Sequence, residues 1–285
     1  MKNGFLTILI LLLSCLSSVL NAEIIELKND ENKVISADYL QGSLNTNPVL
    51  LLHGLLQTRE FSTISRLATT LNESGYTVIS PTLSLGLNKR NKSLDCEAIH
   101  THSLESDANE LKKWVDWLQK KTGKKVTLIG HSAGGPVILN YLSRYHSDSI
   151  NYSILLSLSY YASGPSANET EALANMARKA LRTSPGKIDK YALNYCKTYP
   201  TFASAFLSYY NWNTEKISQV VGQFNNKISI IIGTADKRID SDWRKHLQKK
   251  FNNVISIEGA SHFFDKAYEF DLSDEIESLL TKHSK

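Results

Sequence analysis

One junction in this chain leaves little freedom in how it folds. Residues 125–129 read as a strand and run without a spacer into Gly130-His131-Ser132-Ala133-Gly134, and a helical pattern with Pro136 near its start begins at once. A proline there costs little, because first-turn N–H groups have no partner within their own helix. A serine on so sharp a strand-to-helix turn would stand in a strained backbone conformation, with its hydroxyl clear of the sheet. The flanking glycines leave out the Cβ atoms that would meet the neighbouring strand and helix. The start of the helix would also bring the Ala133 N–H beside a group reacting at Ser132.

The rest of the chain alternates in the same manner, which is the mark of a mostly parallel sheet wrapped by helices. Residues 24–27 and 34–39, separated by Asn29-Asp30-Glu31-Asn32, form an expected opening hairpin. Val49–Leu52 is wholly apolar, as a strand buried on both faces should be. Helical spacing runs over residues 60–73 with Gly75 as its stop, and again over 104–121. Further strands are expected over 77–80 (ended by Pro81), 152–158, 227–232 and 254–257, with a last helix over 264–280. Residues 83–103 are polar and irregular. Residues 162–226 read as helical and carry Tyr191, Tyr195, Tyr199, Phe202, Phe206, Tyr209, Tyr210 and Trp212.

A basic start, Met1-Lys2-Asn3, precedes an apolar run from Gly4 to Leu13. That run is shorter than the roughly 20 residues a membrane span needs, so residues 1–22 read as a signal peptide and 23–285 as one exported domain, periplasmic or secreted. Cleavage is expected after Ala22, although Leu20 is large for its place before the cut. The alternative is a lipobox, Leu12-Leu13-Ser14-Cys15, which would leave an acylated Cys15 as a membrane tether. Export leaves Cys96 and Cys196 as a lone pair in a compartment that permits a disulfide; two free buried thiols are the other reading. The formal charge of +4, with basic residues interspersed among acidic ones, gives no support to nucleic-acid binding.

A serine needs an oriented base before it becomes a useful nucleophile. Asp236 follows one late strand in Gly233-Thr234-Ala235-Asp236, and His262 follows the next in Gly259-Ala260-Ser261-His262. The carboxyl ends of parallel strands share one sheet edge, so Ser132, Asp236 and His262 can converge there. Asp240 and Asp242 compete for the acid role but fall in the next helical pattern. His53-Gly54 follows Val49–Leu52, and the turn it permits makes the Leu55 N–H the candidate partner of the Ala133 N–H in an oxyanion hole. His100 and His102 lack a third ligand candidate and read as loop or surface histidines rather than a metal site. Neither a metal nor a cofactor is called for.

With His53-Gly54, Gly-His-Ser-Ala-Gly, Gly-Thr-Ala-Asp and Gly-Ala-Ser-His in this order, the chain resembles the α/β-hydrolase superfamily over its whole length after residue 22. The resemblance implies a helical cap insertion at about residues 162–226 and a serine hydrolase, of carboxylesterase or lipase kind, that cleaves carboxylic esters through an acyl-enzyme. Small-molecule or lipid esters are the implied substrates. An acyltransferase on the same fold and a non-catalytic binding protein are the alternatives. The cap aromatics either line an apolar acyl pocket or simply pack the cap.

Overall fold

A computed structural model of the chain describes residues 22–145, 148–163 and 169–284. The chain opens with an antiparallel hairpin, β1 (Glu23–Lys28) and β2 (Val34–Leu40), followed by β3 (Val49–Leu52), α1 (Ser62–Glu73), β4 (Val78–Thr82) and α2 (Leu104–Thr122). Next come β5 (Val126–His131), α3 (Gly134–Tyr145) and β6 (Ile150–Leu156). The excursion after β6 holds α4 (Thr170–Thr183), β7 (Ile188–Leu193), β8 (Cys196–Phe202), α5 (Ala203–Tyr210) and α6 (Thr214–Gln223). The chain closes with β9 (Ile228–Gly233), α7 (Ser241–Lys250), β10 (Val254–Ile257) and α8 (Tyr268–Lys282).

The main sheet runs β1-β2-β4-β3-β5-β6-β9-β10, antiparallel where β2 meets β1 and β4 and parallel from β4 onward. The period-2 alternation of a strand divides its core. Leu50 and Leu52 of β3 join Leu111, Trp114 and Ile138 from α2 and α3, while Val49 and Leu51 join Ile64 and Leu67 of α1 and Ile276 of α8. Both faces of the sheet are therefore covered, which explains why the central strands carry unbroken apolar runs.

Two elements depart from the sequence reading. Strand β4 continues through Pro81 to Thr82 instead of stopping before it. Its parallel partner β3 pairs only as far as Ile79, so one edge of β4 at Pro81 has no ladder for a missing N–H to interrupt. Within residues 162–226, the purely helical expectation fails at β7 and β8, which form an antiparallel hairpin. Tyr191 pairs directly with Tyr199 across it, and both are buried. Aromatics four and eight residues apart suit a helix face, but they equally suit a hairpin folded at Asn194, which adopts φ 53°. The signal-peptide and Cys15 readings fall on residues 1–21, outside the described residues.

Cys96 and Cys196 are joined by a disulfide with a Cα–Cα distance of 5.3 Å. Beside it, the His100 N–H donates to the Pro200 carbonyl (2.8 Å) and the Thr201 hydroxyl donates to the His100 carbonyl (2.7 Å). The irregular segment 83–103 is thereby stitched to strand β8.

Candidate active site

Strands β5, β9 and β10 end on the same edge of the sheet, and the loops leaving them bring three distant side chains together. Ser132 Oγ lies 3.0 Å from His262 Nε2, and His262 Nδ1 lies 2.8 Å from Asp236 Oδ2. The other Asp236 oxygen accepts the backbone N–H groups of Arg238 (2.8 Å) and Ile239 (3.1 Å). Burial works against the Asp236 charge, but the His262 ring and these amides outweigh it and hold the carboxyl below the ordinary carboxylate range. An ionised, doubly anchored carboxylate fixes the imidazole with Nδ1 protonated, so Nε2 is the nitrogen free to accept from Ser132. The competing acids are placed elsewhere: Asp240 caps α7 by accepting from the Asp242 and Trp243 N–H groups, and Asp242 stands exposed in that helix's first turn.

Ser132 has φ 53°, a left-handed conformation that costs a non-glycine residue of order 1–3 kcal/mol. Two glycines make room for it. A Cβ on Gly130 would stand 2.9 Å from the Gly134 backbone, and one on Gly134 would stand 2.8 Å from the His53 carbonyl oxygen. The turn is therefore packed backbone against backbone. His131 braces it from the other side, since its Nε2–H donates to the His262 carbonyl (2.9 Å). Burial, then the neighbouring His262, pulls the His131 pKa down to about 3, so the ring is a neutral strut.

Leu55 and Ala133 are both buried residues, and among the described residues neither N–H donates to a protein acceptor. Their surroundings are nonetheless fixed. His53 Nδ1–H donates to the Gly54 carbonyl (2.8 Å), which belongs to the same peptide unit as the Leu55 N–H. A bond to that oxygen sets the plane of the peptide and polarises its N–H. His53 Nε2 in turn accepts the Leu83 N–H at 3.1 Å and faces Arg90 Nη2 at 3.3 Å. Burial and then the Arg90 charge lower the His53 pKa to about 3, which keeps the ring neutral and Nδ1 protonated. The carbonyls of Leu55 and Ala133 accept the Tyr195 hydroxyl (2.9 Å) and the Tyr161 hydroxyl (3.2 Å).

Several of these residues escape sequence reasoning. Arg90 is buried and donates to the carbonyls of Leu83 (2.6 Å), Gln57 (2.7 Å) and Lys92 (2.8 Å), tying the loop after β3 to the loop after β4. Nothing in the irregular segment distinguishes it from a surface arginine. Ser159, with its Oγ 3.5 Å from Ser132 Oγ, did carry a signal, because it lies just past the end of β6 on the same sheet edge. Of the two readings offered for His100 and His102, loop holds and surface does not, because both are buried. His102 Nδ1 sits 3.1 Å from Asp107 Oδ1, its Nε2 sits 3.0 Å from the Tyr199 hydroxyl, and His100 stacks on the Tyr199 ring. Tyr209 completes this cluster by donating to Asp107 Oδ2 (2.7 Å). The aromatics of β8 and α5 supply these partners, which a reading of one segment at a time does not reveal. Among the described residues, no three His, Cys, Asp or Glu side chains gather where they could hold a metal ion.

A cavity of about 330 Å³ opens onto Ser132 and His262, with Leu55, Gln57, Ser159, Asn194, Tyr195, Lys237, Arg238 and Phe263 as its other walls. Of the aromatics from residues 191 to 212, Tyr195 lines it, while Tyr191, Tyr199, Phe206, Tyr209 and Trp212 are buried in packing. A wall of this composition is mixed rather than apolar.

A sequence model of the alpha/beta hydrolase fold matches residues 47–194. No curated protein sequence matches significantly. Among solved structures, Est1E from Butyrivibrio proteoclasticus is similar at 17% identity and TM-score 0.65, covering 91% of this chain and 98% of its own. An esterase from Thermogutta terrifontis is similar at 16% identity and TM-score 0.61, over 93% of this chain and all of its own. A soluble variant of monoglyceride lipase from Saccharomyces cerevisiae gives 15% identity and TM-score 0.66, over 93% and 96%. At such identities the likeness is one of fold.

Proposed function

Since the chain belongs to the α/β-hydrolase fold family, we propose that it is a serine hydrolase cleaving carboxylic esters by way of an acyl-enzyme. The observation that carries this reading is the hydrogen-bonded line from Ser132 Oγ through His262 to Asp236, opening on a cavity, with the neighbouring Leu55 and Ala133 N–H groups unspent among the described residues.

In the first step Ser132 Oγ attacks the ester carbonyl carbon as its proton passes to His262 Nε2, and Asp236 stabilises the imidazolium. The carbonyl oxygen becomes an oxyanion that takes up the Leu55 and Ala133 N–H groups. Collapse expels the alcohol, which leaves with the proton from His262. Water then gives a proton to His262 and attacks the acyl-enzyme, and the carboxylic acid departs as Ser132 recovers its proton. The esterase and lipase neighbours agree with this assignment at the level of the fold.

The export reading belongs to the same proposal. The apolar leader over residues 4–13 and the bonded pair Cys96–Cys196 support it, because disulfides persist in oxidising compartments. N-terminal sequencing of the protein from its natural host decides between a start at Glu23 and an acylated Cys15; an intact Met1 would overturn export.

Turnover is tested with p-nitrophenyl esters of increasing chain length on the protein beginning at Glu23. Release of p-nitrophenol at well above the spontaneous rate is expected, with a loss on the order of 10⁴-fold or more in Ser132→Ala. Equal turnover by wild type and Ser132→Ala would remove the assignment.

A further inference from the structure

The walls of the cavity carry two cations, Lys237 and Arg238, and no carboxylate. Asp236, the acid closest in sequence, is buried and engaged with His262 and two amides. Both basic side chains are exposed. Neither forms an ion pair among the described residues, although surface cations elsewhere, such as Arg66 with Glu269 and Arg178 with Glu171, do. An opening that holds two positive charges and no negative one concentrates anions at the nucleophile.

Arg238 is also held in place. Its guanidinium lies 4.9 Å from the centre of the Phe263 ring and 5.8 Å from that of Tyr195. Phe263 follows His262 directly, and Tyr195 occupies the tip of the β7–β8 hairpin beside the disulfide. The backbone of Arg238 is fixed as well, by its N–H to Asp236. Aromatic faces take up the flat sides of a guanidinium and leave its edge, where the N–H groups point, open to a planar oxyacid. The cation therefore stands on the same turn as Asp236, against the residue following His262, and its guanidinium makes no hydrogen bond among the described residues.

We infer that Arg238, assisted by Lys237, receives an anionic oxygen group carried on one arm of the ester, so that acidic esters are the preferred substrates. The inference rests on the esterase reading for the word substrate, but the anion site can be measured without turnover. Three small esters serve as probes: ethyl butyrate (neutral), monoethyl succinate (anionic acyl arm) and butyryloxyacetate (anionic alcohol arm). Their binding to Ser132→Ala is measured by calorimetry, and their turnover by wild type in a pH-stat.

One anionic ester is expected to bind at least about 10-fold more tightly than ethyl butyrate, the low end for a charge-assisted hydrogen bond. The preference should collapse when Arg238→Gln is added, and in about 1 M salt, where the screening length falls to about 3 Å. Both anionic esters binding no better than ethyl butyrate would overturn the inference, as would a preference that survives Arg238→Gln. If that variant does not fold, the salt dependence decides in its place. Preferred binding with no turnover of any ester keeps the anion site and removes the esterase reading. Turnover without preference does the reverse.

Discussion

Arg90 shows how much of this site depends on side chains outside the cavity itself. Its guanidinium satisfies carbonyls from two loops and faces His53, which in turn fixes the peptide carrying the Leu55 N–H. Burial lowers its pKa to about 10, with Glu110 and then Asp107 opposing the shift, so it stays cationic at neutral pH. Removing it leaves buried carbonyls without donors, each costing about 1–3 kcal/mol. Arg90→Met should therefore lower stability by several kcal/mol in urea denaturation. If the Leu55 N–H is the oxyanion donor proposed above, the folded fraction should also show a reduced kcat with a smaller change in KM, because such a donor acts on the transition state. An unchanged kcat in the folded variant would mean that Arg90 serves packing alone. Ser132, Asp236 and His262 were legible in sequence because each follows a recognisable strand. Arg90 was not, since its link to Gln57 spans 33 residues, and which cap aromatic lines the cavity was not either, since the Tyr195 hydroxyl reaches Leu55 across 140 residues, through contacts that no local pattern encodes.

At the level of elements, the β7–β8 hairpin is the piece that shapes the cavity. Its tip contributes Asn194 and Tyr195 to the walls, its second strand begins at Cys196, and the disulfide binds it to the segment before α2. The bridge closes a loop spanning a sequence separation of 100, for which chain entropy alone suggests a stabilisation of about 4.7 kcal/mol. Reduction, or Cys96→Ser with Cys196→Ser, should lower the thermal midpoint by several degrees and loosen the hairpin first, read as faster hydrogen exchange in β7 and β8. Exchange that accelerates equally throughout the sheet would contradict a local role. The sequence exposed the main sheet well because buried parallel strands are apolar without interruption. It concealed the hairpin because the aromatic spacing of residues 191–206 satisfies helical periodicity as well. The burial of the loop residues His100 and His102 is concealed for a related reason, since the aromatic elements that fold over them create it.

Across the whole molecule, the buried histidines set the response to pH. Burial holds the pKa of His53 and His131 at about 3 and that of His100 at about 4, against about 6.5 when exposed. Between those limits the unfolded chain binds protons that the folded one refuses, so stability falls as pH drops. Each histidine contributes a slope of about 1.4 kcal/mol per pH unit. Glu110 opposes them: burial raises its pKa to about 7, so its contribution is full below about pH 4.5 and disappears as pH rises through 7. Three groups against one leave a net loss of stability from about pH 6.5 toward pH 4, measurable as a falling urea midpoint; a midpoint that rises over that range would contradict the neutral, buried histidines. Covalent labelling decides whether the sheet edge assembles one nucleophile at Ser132. After reaction with a fluorophosphonate and peptide mapping by mass spectrometry, the folded wild-type protein should carry a single adduct on the peptide containing Ser132, while Ser132→Ala should carry none. An unlabelled wild-type protein, or an adduct that persists in Ser132→Ala, would contradict a single nucleophile at Ser132.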